Sequence, residues 1–227
     1  MDHDLNAGKT RIPPKHLEDP LAHLPRSVIV ECRKDQIIYN QDQPATNLYL
    51  VIDGKVKISR TTGDGRQVMI DIYQRDEFFG ESALLNVPHC AEQATALEGT
   101  KVMTWTASAI DEIVKRRPRL AVALMQILVQ RTINFTERLE SFSTDNIQRR
   151  LARSLVRFSE RFGTPEEDGS VGMMAFTHEL LAQYVGTSRE IVTQYMTRFR
   201  REGYLQYSRK GIILQPETLR EWLRQNA

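Results

Sequence analysis

Residues 176–214 read FTHELLAQYVGTSREIVTQYMTRFRREGYLQYSRKGIIL, and everything upstream takes its meaning from them. Thr177 stands where an N-cap hydroxyl belongs, with Glu179 in the first turn after it, so a helix begins there. Gly186 supplies the left-handed residue that closes a helix, ending this one at Tyr184 and Val185. Ser188 caps a second helix with Glu190 in its first turn. Val192, Met196 and Phe199 follow at steps of four and three, which makes an apolar face, and Gly203 stops the helix. Two helices joined by a short turn containing glycine form the helix-turn-helix pattern. Residues 205–207 and 211–214 then flank Ser208-Arg209-Lys210 as a short hairpin with a basic tip.

The face opposite Val192 and Met196 carries Arg189, Glu190, Thr193, Gln194 and Thr197. In a helix-turn-helix the N-terminal residues of the second helix reach base edges. Arginine suits guanine, glutamine suits adenine, and glutamate accepts from cytosine. Arg198, Arg200 and Arg201 come next and suit phosphates, as do Arg209 and Lys210 at the hairpin tip. Thr177, His178 and Ser188, at the starts of the two helices, are further phosphate candidates. The competing interpretation is an exposed amphipathic helix whose arginines are merely solvated.

The 227 residues are enough for two small domains, and a hydrophobic content of 41% supports real cores. No apolar run approaches the roughly 20 residues of a membrane span. Residues 1–25 are polar, without the apolar centre of a signal peptide. A soluble, cytoplasmic protein with no membrane partner is expected. The formal net charge is only +2; from Phe142 onward there are 13 Lys+Arg against 10 Asp+Glu, and before it 18 against 19. Affinity for DNA then has to come from a local patch, used in two copies. The two cysteines, Cys32 and Cys90, are too few for an iron–sulfur cluster held by four thiolates of one chain. No C-x-x-C pair suggests zinc, and no metal site is expected.

Upstream, residues 27–106 read as strands. Leu48, Leu50 and Ile52 alternate up to Asp53-Gly54, a hairpin turn, and Val56 and Ile58 alternate after it. Gly63-Asp64-Gly65 turns the chain again before Val68, Ile70 and Ile72. Phe78-Phe79-Gly80-Glu81 breaks the pattern, 82–85 reads as a helical turn, and strands resume over 94–97 and 101–106. Many short strands at this spacing indicate a sandwich or barrel. A short helix over 107–114 is stopped at Arg116-Arg117-Pro118. A long helix over 120–143 repeats Leu128, Phe135 and Phe142 every seven residues, flanked by Leu124, Ile127 and Leu139. That is a helix–helix seam, with Arg131 and Arg138 close to it; a helix packed only on its own strands is the alternative. Thr144-Asp145-Asn146 forms a cap and hinge before a helix to Phe162 with Leu151, Leu155 and Phe158 as its buried stripe. An acidic loop over 163–172 and a strand over 173–176 lead into the reading unit. The expected division is a flexible polar arm (1–19), a sensor domain (20–117), a dimerisation helix (118–144) and a DNA-binding domain (145–227).

Three segments, LYLVIDGKV (48–56), DEFFGESALL (76–85) and TSREIVTQYMTRFRREG (187–203), in this order and spacing, resemble the CRP/FNR family of bacterial transcription regulators. The resemblance spans residues 20–225. It implies an α+β chain with an N-terminal β-roll of jelly-roll type, a long dimerisation helix and a C-terminal winged helix-turn-helix. The implied function is non-enzymatic: a homodimer binding an inverted repeat in double-stranded DNA, with RNA polymerase as a partner. Arg189 and Glu190 match the family's base-contacting positions, whereas Gln194 replaces an arginine of the cyclic-AMP type. A half-site related to TGTGA, altered at an inner position toward adenine, follows.

In cyclic-AMP-binding members a Gly-Glu turn binds the ribose, an Arg-Ser pair holds the phosphate, and a Thr-Ser pair on the long helix meets the adenine. Gly80 and Glu81, followed by Ser82, match the first. The second falls on Cys90-Ala91 and the third on Phe135-Thr136. No arginine or lysine stands between Ser82 and Thr100, and a semi-buried phosphate needs such a donor. Cyclic AMP is therefore disfavoured and the effector is left open. Other members bind haem or sense redox state through thiols, for which His89-Cys90 and a Cys32–Cys90 pair are the candidates. A regulatory β-roll acting through protein contacts is the remaining alternative. The five histidines, His3, His16, His23, His89 and His178, suggest no catalytic arrangement.

Overall fold

The computed structural model describes residues 17–85 and 89–226. Eight strands build the N-terminal roll: β1 (Val28–Cys32), β2 (Ile37–Tyr39), β3 (Asn47–Asp53), β4 (Lys55–Thr61), β5 (Gln67–Gln74), β6 (Phe78–Phe79), β7 (Gln93–Ala96) and β8 (Thr100–Thr106). They form two antiparallel sheets, ordered β1-β8-β3-β6 and β2-β7-β4-β5. The β3–β4 turn works because Gly54 sits at φ +83°, and a Cβ there would lie 2.6 Å from the Gly99 carbonyl. Alternation sends the side chains of β3 to both faces. Tyr49 and Val51 join Tyr39, Tyr73 and Phe79 inside the roll, while Leu48 and Leu50 face Trp105, Ile110, Leu120 and Leu124. That second cluster seats two helices on the roll, α1 (Ala107–Arg116) and α2 (Arg119–Thr144).

α2 has 26 residues, about 39 Å at 1.5 Å per residue. Leu124, expected on the dimer seam, is buried against the roll instead. The exposed apolar residues of α2 include Met125, Leu128, Phe135, Leu139 and Phe142; with Thr132 they run at alternating steps of three and four. The arginines expected near the seam also turn inward. Arg131 reaches Glu81 and the Phe78 carbonyl, and Arg138 the carbonyls of Met69, Ile70 and Tyr184. The first apolar turns of α2 serve two surfaces, so a seven-residue count alone does not say which residue serves which. Part of the stretch expected to be a loose arm is docked. The Glu18 amide donates to Gln126 on α2 at 2.8 Å, and Asp19 caps the 3-10 turn Pro20–Ala22. Residues 1–16 of that arm lie outside the described residues.

The C-terminal part contains α3 (Ile147–Phe162), β9 (Thr164–Pro165), β10 (Val171–Met173), α4 (His178–Val185), α5 (Arg189–Arg201), β11 (Leu205–Tyr207), β12 (Ile212–Leu214) and α6 (Pro216–Gln225). Asn146 caps α3 by accepting from the Arg149 amide at 3.0 Å. The strand expected over 173–176 lies earlier, because Val171 to Met173 pair with β12, leaving the next residues to lead into the α4 cap. α6 was not expected. Pro216 starts it, and Leu219 and Trp222 pack it onto the domain, Trp222 meeting the Phe199 ring at 5.7 Å.

The two halves are fastened together. Met69 and Ile72 of β5 are fully buried in the same cluster as Leu155, Phe158 and Leu181 of α3 and α4. Arg161 on α3 bonds Asp71 at 2.6 Å, the Ile72 carbonyl at 2.7 Å and Glu77 at 3.1 Å.

Candidate nucleic-acid interface

The helix-turn-helix follows from its caps. Thr177 accepts from the Leu180 amide at 3.1 Å and Ser188 from the Ile191 amide at 3.4 Å. Gly186 closes α4 at φ +74°, where a Cβ would stand 2.8 Å from the Phe142 ring. α5 then divides by face: Val192, Met196 and Phe199 are 0% exposed, whereas Arg189, Glu190, Thr193, Gln194 and Thr197 are open to solvent. The reading face expected from sequence is therefore one surface. Arg209 and Lys210 project from the wing tip, whose turn closes by the Ser208 amide donating to the Gly211 carbonyl at 2.9 Å.

Several of these side chains are already engaged. The Thr193 hydroxyl donates to the Arg189 carbonyl at 2.8 Å, and His178 Nδ1 lies 2.8 Å from the same Thr193 Oγ1. Arg198, expected to face phosphate, pairs instead with Glu202 at 2.7 Å, one helical turn on. Arg200 lies over the Tyr207 ring at 5.1 Å, and the His178 ring meets Tyr207 edge-on at 5.3 Å. Tyr207 was missed from sequence; an aromatic one residue before the basic tip was the available signal. The Glu190 carboxyl is held below the ordinary glutamate value by its own backbone amide and by Ser188, so it is ionised.

In the roll, Gly80 sits at φ +80° with a Cβ position 2.8 Å from the Asn47 carbonyl and the Tyr49 ring. It is a required turn, and it delivers Glu81 to Arg131, whose guanidinium is 2.5 Å away and also lies 4.4 Å over the Tyr73 ring. Glu92 bonds the Tyr39 hydroxyl at 3.1 Å, and burial, helped by the charge of Glu81, raises its carboxyl above the ordinary value. Ser82 and Cys90 adjoin this cluster, and burial pushes the Cys90 thiol up. A thiol so placed is a poor nucleophile. Cys32 is likewise buried with a raised pKa. The other three pocket candidates are not brought in: Ala91, Phe135 and Thr136 are exposed, and Thr136 bonds the Thr132 carbonyl. Arg131, Tyr73 and Glu92 were missed because the strand order and α2 bring them in from separate segments. His89 and Cys90 do not share a centre, since His89 is exposed with Nδ1 on the Asp42 carbonyl at 3.0 Å, while Cys90 is buried.

Comparisons with known proteins agree with this architecture. Residues 29–117 match the family described as "Cyclic nucleotide-binding domain" and residues 149–222 the "Crp-like helix-turn-helix domain". The transcriptional regulator SdrP of Thermus thermophilus is 30% identical over 164 residues, 71% of this chain and 76% of SdrP. The CRP-like cAMP-activated global transcriptional regulator of Mycobacterium tuberculosis is 26% identical over 82% of this chain and 83% of its own. Among solved structures, FixK2 of Bradyrhizobium japonicum superposes with a TM-score of 0.75 at 21% identity, covering 86% of this chain and 96% of FixK2. TTHA1359 of Thermus thermophilus, a CRP/FNR-family regulator, gives 0.72 at 26% identity over 87% and 98%. No helix among the described residues is long and apolar enough to cross a membrane.

Proposed function

The chain belongs to the CRP/FNR family of transcription regulators, and from that premise we propose that it acts as a homodimer setting one α5 into each half of an inverted DNA repeat. The observation that carries this reading is the solvent-open polar face of α5 beside an exposed basic wing tip, above a fully buried apolar face. Arg189, Glu190 and Gln194 are the base readers. Thr193, whose hydroxyl proton is already given to the Arg189 carbonyl, offers its methyl group to a thymine instead. Thr177, His178, Ser188, Arg200, Arg209 and Lys210 line the backbone on either side.

Dimerisation is supported by the apolar strip on α2, with Leu139 at 67% exposure. A second α2 laid along it buries Met125, Leu128, Phe135, Leu139 and Phe142 at coiled-coil spacing, and a two-fold axis brings two modestly charged reading domains to one site. The division into sensor roll (20–117), dimer helix (118–144) and reading domain (145–227) belongs to the same proposal. The two matched segments, 29–117 and 149–222, leave the whole of α2 between them. Contact with RNA polymerase from a DNA-bound dimer completes the reading.

For the roll, the residues do not fit a cyclic phosphate. Where cyclic-AMP-binding members place Arg-Ser, this chain has a buried thiol and an exposed alanine. The one guanidinium at Glu81 is already paired with it, and Glu92 adds a second carboxyl. An anionic ligand has to displace Arg131 from Glu81, and the other cation whose charge reaches Glu92, Arg60, is exposed. We therefore place the effector, if one acts, outside the cyclic nucleotides.

Selection of sites from random duplex DNA by protein without added ligand tests the whole reading. An inverted repeat with TGTGA-related halves is expected, together with the absence of any affinity gain on adding cyclic AMP. Enrichment of nothing, from dimeric protein, overturns it.

A further inference from the structure

Resting on the assignment of α4, α5 and the wing to DNA, we infer that His178 binds the DNA backbone only as an imidazolium, so that each reading domain takes up a proton as it engages the duplex. The reason lies in the single proton of a threonine hydroxyl. Thr193 donates that proton to the Arg189 carbonyl at 2.8 Å. The 2.8 Å contact between Thr193 Oγ1 and His178 Nδ1 must then draw its hydrogen from the ring. His178 holds its proton on Nδ1, and when neutral it presents only a lone pair at Nε2. A lone pair repels a phosphate oxygen. A second proton turns Nε2 into a charged donor, which makes the stronger class of hydrogen bond to an anion.

The surroundings keep the free ring neutral near pH 7. Burial of the half-covered ring lowers its pKa from the ordinary 6.5, and the positive charge of Arg189 adds to the effect. On α4 itself the next residue is Glu179, whose carboxylate takes a bond from Gln183 at 3.3 Å. α5 contributes Arg189 and, after it, Glu190, which is turned to its own backbone and Ser188. The wing contributes Tyr207, over whose ring lies Arg200 of α5. No carboxylate among the described residues forms an ion pair with the ring. An approaching phosphate supplies the anion that these three elements withhold, raising the pKa of His178 in the complex.

By linkage, affinity then rises as pH falls from the pKa of the bound state toward that of the free state. Each proton taken up changes Kd by up to about tenfold per pH unit in that window, and two subunits by up to about a hundredfold. The test measures Kd by fluorescence anisotropy for a duplex selected by the wild-type dimer, between about pH 5.5 and 8 at fixed ionic strength. The wild type is expected to tighten steeply as pH falls. His178→Ala is expected to lose that pH dependence, its Kd staying nearly flat across the range whatever its absolute value. Equal pH slopes for the two proteins overturn the proton linkage while leaving the DNA assignment intact; failure of the wild type to prefer its selected duplex at any pH overturns that assignment and the linkage with it. Nitrogen-15 spectra of wild-type His178 give a check independent of the variant. The Nδ1-protonated tautomer in the free protein and a higher pKa with DNA are expected, and an Nε2-protonated ring or an unmoved pKa refutes the inference.

Discussion

Asp145 shows how one side chain can set a boundary. It ends α2, stands next to the Asn146 cap of α3, and is 8% exposed. Its carboxylate takes bonds from Arg149 at 2.8 Å, Arg153 at 2.6 Å and Ser141 at 2.7 Å. Burial alone opposes its ionisation, but those three donors outweigh it and hold the pKa below the ordinary 3.8. The stability from this pairing is therefore complete above the unfolded value near 3.8 and is lost as pH falls through the depressed folded value. Asp145→Asn should cost about 2 kcal/mol at pH 7, measured by urea unfolding, and should flatten the acid limb of the stability curve; an unchanged limb refutes the assignment. On the reading face, Arg189→Ala should cost about 1–3 kcal/mol per half-site and relax preference at one base. Gln194→Arg should move the inner position of the selected motif toward guanine, and an unchanged motif removes Gln194 from the base readers.

Among the elements, α2 carries three duties that its sequence superimposes. Its first turns seat it on the roll, Arg131 and Arg138 pin it to β5 and β6, and its outer strip stays apolar and open. Leu139 touches only the last of these. Leu139→Glu should leave monomer folding intact while sedimentation shows dissociation, and binding to a full inverted repeat should fall toward that of a single half-site. A variant that remains dimeric contradicts the seam. At its far end α2 meets the reading domain: Phe142 faces Gly186, and Arg150 of α3 lies over the Phe142 ring at 4.9 Å. An alanine at 186 has to hold a left-handed backbone and intrude on that ring. Gly186→Ala should destabilise by about 1–2 kcal/mol from the backbone alone, read as a lower urea midpoint; equal stability would show that the turn relaxes freely.

Across the whole molecule, β5 joins the roll to the helix-turn-helix domain. Met69 and Ile72 complete the apolar core of the reading domain, Arg161 fastens α3 to Asp71 and Glu77, and the Gln74 side chain returns a bond to the Arg161 carbonyl at 2.7 Å. Arg138 adds a link from α2 to β5 and α4, its guanidinium 4.0 Å over the Tyr184 ring. Arg161→Met should leave buried Asp71 and half-buried Glu77 without their cation, so calorimetry should resolve two unfolding transitions where the wild type gives one, and a single unchanged transition argues against a fastened pair. The parts of this organisation that were legible in sequence are those written in local signals. Caps at Thr177 and Ser188, a glycine at 186, a turn at Asp53-Gly54 and the periodicities of two and of three to four each act within a few residues, where chain connectivity guarantees the encounter. The polar face of α5 follows from the same periodicity. What the tertiary structure alone decided is which distant residues meet: Arg131 crossing to Glu81, Leu124 surrendered to the roll, Arg161 reaching Asp71, and His178 sharing the Thr193 hydroxyl. Those pairings depend on the strand order and the angle of α2, which are set by burying the chain's apolar surface as a whole, and no spacing within a single segment encodes them.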